Sequence, residues 1–346
     1  MDETFQSAML MRTLELSENS SNSSTVHESE AKLIKIVGQH DMNSVAFSVD
    51  GGHVVSGSSE GKIQCWRAED GKEVGTPIDA TSETVNIAVS RDGKWIVSGT
   101  KSGELTVWDA ESHKKVARWK GHSKEVVAVD ISPDGTRVAT GSYDCTACIW
   151  SLSTGLRLLG PLEHNFTVTT AKFSPDGCLI ATAAWQSVRV YNVAENGRLL
   201  INFPNTVAGK HNSESLVWAN ESKHLFTLSF FGKINHLDVS TGTALSSWPI
   251  HGGGEPGCIA LAKNGTLIAA SAGRSVSFWD TATYKQVGSI VKHKDLVRSM
   301  AISANYDLVI GGGRTITLWR ICKVLPSSYH KDVSAIPCKI RCGICS

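Results

Sequence analysis

The sequence predicts an all-β chain closed into a single ring of seven four-stranded blades, and two periodic markers carry that expectation. The first is a series of strand-ending residues: Trp66, Trp108, Trp150, Tyr191, Leu237, Trp279 and Trp319, at steps of 42, 42, 41, 46, 42 and 40 residues. Each is followed by a polar or charged residue, in order Arg67, Asp109, Ser151, Asn192, Asp238, Asp280 and Arg320. The second is a recurring turn at Asp50-Gly51, Asp92-Gly93, Asp134-Gly135, Asp176-Gly177, Asn220-Glu221, Asn264-Gly265 and Asn305-Tyr306. A period of about 40–45 residues closing on Trp-Asp is that of a β-propeller blade. Asp or Asn before Gly suits a tight hairpin turn because these residues tolerate positive φ.

Composition narrows the partners. The chain has 346 residues, 41% hydrophobic and 19% charged, with a net charge of +1. That balance gives no electrostatic reason to expect nucleic acid or an anionic membrane surface. No apolar run approaches the ~20 residues needed to cross a bilayer. Met1-Asp2-Glu3-Thr4 lacks the basic start of a secretory signal. Nine cysteines without a framework suit reduced thiols, so a cytoplasmic or nuclear location is expected. Asn165-Phe166-Thr167 is then a chance match to a glycan triplet.

Three segments follow along the chain. Residues 1–31, centred on Asn19-Ser20-Ser21-Asn22-Ser23-Ser24-Thr25, hold too little apolar surface to order themselves and predict a flexible Ser/Asn-rich leader. Residues 32–321 carry the repeats. Short β-prone runs such as His53-Val54-Val55-Ser56 and Arg137-Val138-Ala139-Thr140 follow each turn, then a strand ending on the anchor, as in Leu105-Thr106-Val107-Trp108. Lys32-Leu33-Ile34-Lys35-Ile36-Val37 is similar to the outer-strand run Lys115-Val116-Ala117-Arg118-Trp119, and Pro326 interrupts any strand after Trp319. Residues 32–37 are therefore expected to complete the last blade and close the ring. Residues 322–346 predict a flexible tail with Cys338, Cys342 and Cys345 near His330. Without a second cysteine pair, no metal site is assigned there.

Blade three shows the repeat most fully: Gly121-His122, Ser132-Pro133-Asp134-Gly135, Thr140-Gly141-Ser142-Tyr143-Asp144 and Ile149-Trp150. These residues resemble the WD40-repeat family, with coverage from about 32 to 321. The resemblance implies a seven-bladed toroid around a central channel. It also implies that His122, Thr140, Asp144 and Trp150, which look like a hydrolase triad, form a buried chain from indole to hydroxyl to imidazole to carboxylate. Such a chain satisfies polar groups that are costly to bury, and a strand threonine offers no exposed nucleophile. The other blades keep parts of the set. Blade one has His40, Ser56, Glu60 and Trp66; blade two has Ser98 and Trp108, with Ala80 in place of the imidazole. Blade four has His164, Thr182 and Tyr191. Blades five to seven lose it, with Leu237 as an apolar anchor and Ala270 and Ile310 at the hydroxyl position.

Several chemistries lack their residues. No Gly-Lys pair continues into the Ser or Thr of a phosphate loop. Cys145-x-x-Cys148 straddles a hairpin turn and predicts packing rather than metal. Neither Trp108-Asp109 nor Trp279-Asp280 continues to x-Arg, which removes one docking motif of ubiquitin-ligase receptors in the resembling family. The leader lacks the sustained heptads of a coiled-coil partner, which argues against a G-protein β-like role. No catalytic residue, cofactor or metal is predicted.

The resemblance places the loops entering each blade and the turns between second and third strands on one face, the usual binding face. Along it the turn position reads Ser59, Lys101, Tyr143, Trp185 and Phe230 with Phe231 beside it; the shortened turns of blades six and seven present Arg274 and Arg314, and Arg298 follows close by. Aromatics and arginines dominate interface energetics. The expected function is a non-catalytic scaffold or adaptor, monomeric or within a larger complex. It binds proteins or peptides that combine apolar anchors with an acidic stretch, and neither nucleic acid nor membrane. An enzyme using the central channel is one alternative. A ligand-sensing propeller acting with a separate signalling protein is another. Mostly apolar inner segments such as Val126-Val127-Ala128-Val129-Asp130 weigh against the first.

Overall fold

The computed structural model describes residues 32–329, apart from 39, 81, 186, 204–212, 220, 230, 251–256, 306 and 327–328. Among the described residues, twenty-eight strands form seven four-stranded antiparallel sheets. The leader and the cysteines of the tail lie outside the described residues, as do Phe230, Asn220 and Tyr306.

Six of the sheets are meanders running outward from the centre. Blade three is representative: Val126–Ile131, Arg137–Ser142, Thr146–Ser151 and Arg157–Glu163 pair in that order. The inner strands are Met42–Phe47, Thr84–Val89, Val126–Ile131, Val168–Phe173, Ser213–Trp218, Ile259–Leu261 and Ser299–Ile302. Each packs beside the next, and the last returns to the first, which closes the ring. Side chains stitch these neighbours together. Ser44 Oγ accepts from the Ile87 amide (3.3 Å), Asp130 Oδ2 from Phe173 (2.9 Å), Ser215 Oγ from Ile259 (3.2 Å) and Ser299 Oγ from Val45 (3.1 Å).

Both faces of each blade are covered by neighbouring blades, so the second strands lose the alternation of a half-solvated sheet. His53–Ser58, Trp95–Thr100 and Arg137–Ser142 are each buried after their first residue. The core accordingly lies between blades. One cluster joins Val97, Leu105 and Val107 of blade two to Val126, Val129, Val138 and Trp150 of blade three. Outer strands alternate towards solvent, as in Lys115–Lys120.

Blade seven takes its outer strand from the opposite end of the repeats. Lys32–Val37 pairs antiparallel with Thr315–Arg320, from Lys32 opposite Trp319 to Val37 opposite Thr315. Buried Ile36 packs in one cluster with Val309, Ile316 and Leu318 of blade seven and with Met42, Val45 and Trp66 of blade one. The packed chain also runs past the expected boundary at 321. After the turn Ile321–Lys323, Val324 and Leu325 are buried with Phe278 and Val291 of blade six, and Tyr329 packs against the same cluster. The Tyr329 hydroxyl donates to Asp280 Oδ2. The tail therefore begins by covering the seam between blades six and seven, because Val324 and Leu325 bring apolar surface that the seam can bury.

The turns joining inner to second strands explain the second sequence marker. In Ser132-Pro133-Asp134-Gly135, the Ser132 hydroxyl and the Thr136 amide both donate to Asp134 Oδ1, and Gly135 sits at φ 70°. A Cβ on Gly135 would meet nothing within 4 Å, so the positive φ alone selects glycine there.

Candidate functional site

The residues that resemble a triad are a structural relay. In blade three the Trp150 indole N–H donates to Thr140 Oγ1 (2.8 Å), His122 Nε2 lies 2.7 Å from the same hydroxyl, and His122 Nδ1 lies 2.9 Å from Asp144 Oδ2. Thr140 is fully buried, with no access for a substrate. Burial pushes the pKa of His122 down against the opposing pull of Asp144, which favours a neutral ring. Such a ring donates from Nδ1 to the carboxylate and accepts the Thr140 proton at Nε2. For Asp144, burial acts upward but is outweighed by the hydrogen bonds from Thr146, the Ser123 amide and His122, so its pKa is lowered.

The partial sets resolve blade by blade. In blade one, Trp66 donates to Ser56 Oγ at 2.8 Å and His40 pairs separately with Glu60 at 3.0 Å. In blade two, Trp108 donates to Ser98 at 3.0 Å. In blade four, His164 Nε2 lies 3.0 Å from Thr182 Oγ1, while its buried Nδ1 has no partner among the described residues. Blades six and seven correct the expectation of lost bonds. The indoles of Trp279 and Trp319 donate to Ser277 and Thr317, two residues earlier on their own strands, at 2.8 and 3.2 Å. The acceptor has moved from the neighbouring strand to the anchor's own.

On the inner strands, the Asp130 carboxylate is engaged at both oxygens: Oδ1 with Lys172 Nζ at 3.0 Å and Oδ2 with the Phe173 amide. Among the described residues no group of three or more metal-ligating side chains converges. Cys148 is buried and its thiol is pushed up to about 11 by that burial, which makes it a poor ligand or nucleophile.

The exposed chemistry lies on the face formed by the loops entering each blade and the turns between second and third strands. Backbone bonds tie each turn to the entering loop of the next blade or its own. Tyr143 N donates to Glu125 O (3.0 Å), His293 N to Arg274 O (2.7 Å) and Gly38 N to Arg314 O (2.8 Å). On these turns Tyr143 is 46% exposed, Trp185 42% and Phe231 50%. Trp185 packs on Phe166 of the loop entering blade four, with ring centroids 5.2 Å apart. Arg274, Arg298 and Arg314 are exposed. Arg298 is held by Asn43 Oδ1 at 3.1 Å, whereas the guanidinium groups of Arg274 and Arg314 have no partner among the described residues.

Two further residues belong to this face and were missed in the sequence. Leu296, 44% exposed, stands in the loop entering blade seven, between the two arginine turns. Its apolar side chain after Lys294-Asp295 was the available signal. Phe166 escaped because only the fold brings it to Trp185. The loop is fixed from below: Thr315 Oγ1 donates to Asp295 Oδ2 (3.0 Å), and a Cβ on Gly313, at φ 52°, would come within 2.6 Å of the Asp295 carboxyl carbon. Opposite the arginines, Glu83 pairs with Lys101 at 2.7 Å, a bond that raises the Lys101 pKa. Burial raises that of nearby Glu125.

Seven four-stranded blades with a Trp–hydroxyl–His–Asp relay define a repeat propeller of the Trp-Asp type. The family model described as WD domain, G-beta repeat matches residues 31–67, 71–109, 113–151 and 157–192. Residues 31–192 therefore carry four WD40 repeats. Each matched repeat begins on the outer strand of one blade and ends on the third strand of the next. The matches stop at Asn192, where anchors and relay residues diverge while the strands continue. No curated protein matches the chain.

Proposed function

We propose that this protein is a non-catalytic scaffold that seats a protein or peptide partner across the turn face of blades three to seven. WD40 propellers generally bind other proteins. The observation that carries the reading here is the row of exposed side chains on one face. Tyr143, Trp185 and Phe231 leave 42–50% of their surface in water, and Arg274 and Arg314 follow on the next two blades. Large aromatics held half in solvent gain most from a partner that buries them, and arginines add directional bonds to carboxylates. The partner's chemistry is apolar over blades three to five and acidic over blades six and seven.

The test is quantitative capture of partners from the native cell with wild type and with Arg274→Ala combined with Arg314→Ala. Recovery of specific partners is expected to fall about tenfold, the effect of about 1.4 kcal/mol, with an unchanged melting temperature. Equal recovery would remove these residues from the interface.

A further inference from the structure

The near-neutral chain conceals a strong division of charge. Residues 1–31 contain Asp2, Glu3, Glu15, Glu18, Glu28 and Glu30 against Arg12 alone, a net of −5, so the remaining residues carry +6 within the total of +1. On the propeller several basic side chains already have carboxylate partners, among them Arg67 with Asp70, Arg118 with Glu104, Arg137 with Asp134 and Arg198 with Glu195. Arg274 and Arg314 are exposed and make no ion pair among the described residues, and Leu296 stands between their turns.

The leader also has the chemistry this face calls for. Met9-Leu10-Met11, Leu14 and Leu16 give apolar anchors, and Glu15 and Glu18 interleave with them. Its point of attachment is close. The leader runs directly into Lys32–Val37, whose far end pairs Val37 with Thr315, next to Arg314. Six strand residues span about 20 Å, while the thirteen residues from 19 to 31 can span up to about 45 Å. Tethering then replaces a bimolecular encounter with a local concentration on the millimolar scale.

We propose that the acidic leader, residues 1–31, is a resident pseudo-ligand of the arginine end of the turn face, seated on Arg274, Leu296 and Arg314 and displaced by the external partner. This rests on the scaffold reading of the same face and assigns its regulation. Occupancy weakens with salt, because exposed charge pairs are screened within about 3 Å at 1 M. Neutralising the leader's carboxylates opens the face.

Arg12 is the only Lys or Arg before Lys32, so trypsin reports directly on the leader. Cleavage after Arg12 is followed by mass spectrometry in the full-length protein and in a synthetic peptide of residues 1–31. In low salt the full-length protein is expected to be cut at least tenfold more slowly than the peptide. Protection is lost in Arg274→Ala with Arg314→Ala, in Glu15→Gln with Glu18→Gln, and at 1 M NaCl. Equal cleavage of wild type, both variants and the free peptide overturns the proposal. Partner capture separates the two claims. If the arginine variant loses partners while Arg12 is never protected, the scaffold reading stands and the pseudo-ligand falls. If Arg12 is protected by the arginines while capture is indifferent to them, the leader occupies the face and the external-partner reading falls.

Discussion

Thr140 serves two buried groups at once, taking the Trp150 indole proton and facing His122 Nε2 at 2.8 and 2.7 Å. Thr140→Val keeps the shape but orphans both, and each buried polar group left without its bond costs about 1–3 kcal/mol. Urea unfolding is therefore expected to show a loss of roughly 3 kcal/mol, and a loss below the error of the fit would mean that the relay contributes nothing to stability. This relay was legible in the sequence because its members recur at fixed places relative to the anchors. The Ser277 and Thr317 acceptors were not legible. A hydroxyl two residues before a tryptophan looks like any strand residue until the indole is seen turned onto its own strand. The turn positions of Tyr143, Trp185, Phe231, Arg274 and Arg314 followed from the repeat spacing, and that of Arg298 from its place just past the loop entering blade seven, whereas Phe166 needed the loop geometry that brings it against Trp185.

Single elements carry closure and acid sensitivity. Lys32–Val37 supplies the outer strand of blade seven, and removing it would bare Thr315–Arg320 and the surface around Ile36. A loss of several kcal/mol at about 2–4 °C each predicts a melting temperature lower by roughly 10 °C or more; an unchanged melt would contradict closure by this strand. Acid acts through the loop histidine of blade four. Burial, aided by the charge of Arg189, lowers His164 to about 4, from the ordinary 6.5. The folded state then binds fewer protons than the unfolded chain between these values, so stability is full above about pH 6.5 and falls as pH drops towards 4. His236 is lowered to about 4 by burial and by the neighbouring His224, and falls in the same window. Asp134 acts lower still. Burial would raise it, but the bonds from Ser132 and Thr136 prevail and hold it at about 2, so its contribution is lost as pH falls below about 4 towards 2. His164→Gln is expected to flatten the melting-temperature profile between pH 6.5 and 4, and an identical slope would show that His164 does not drive it.

At the scale of the whole molecule, the repeat period was the most legible property, because ring closure demands blades of nearly equal length. The distribution of chemistry over the ring was less so. The first four blades retain family repeats and the last three do not, yet all seven hold the same four-stranded sheet. Interblade burial can be met by many apolar combinations, as Leu237 shows in place of tryptophan, so sequence can diverge there without loss of the fold. The divergent blades carry Phe231, Arg274 and Arg314 of the turn face, while Tyr143 and Trp185 of that face lie on the matched blades three and four. The opposite face, with its self-bonded Ser-x-Asp turns, spends its polar groups internally. The central claim is that partners sit on the first face and not the second. It is tested most directly by placing a photo-crosslinking amino acid at Trp185 on the turn face and, separately, at Arg91 on the opposite face, then irradiating in the native cell. Specific adducts from position 185 and none from position 91 are predicted; adducts from position 91 alone would contradict the account.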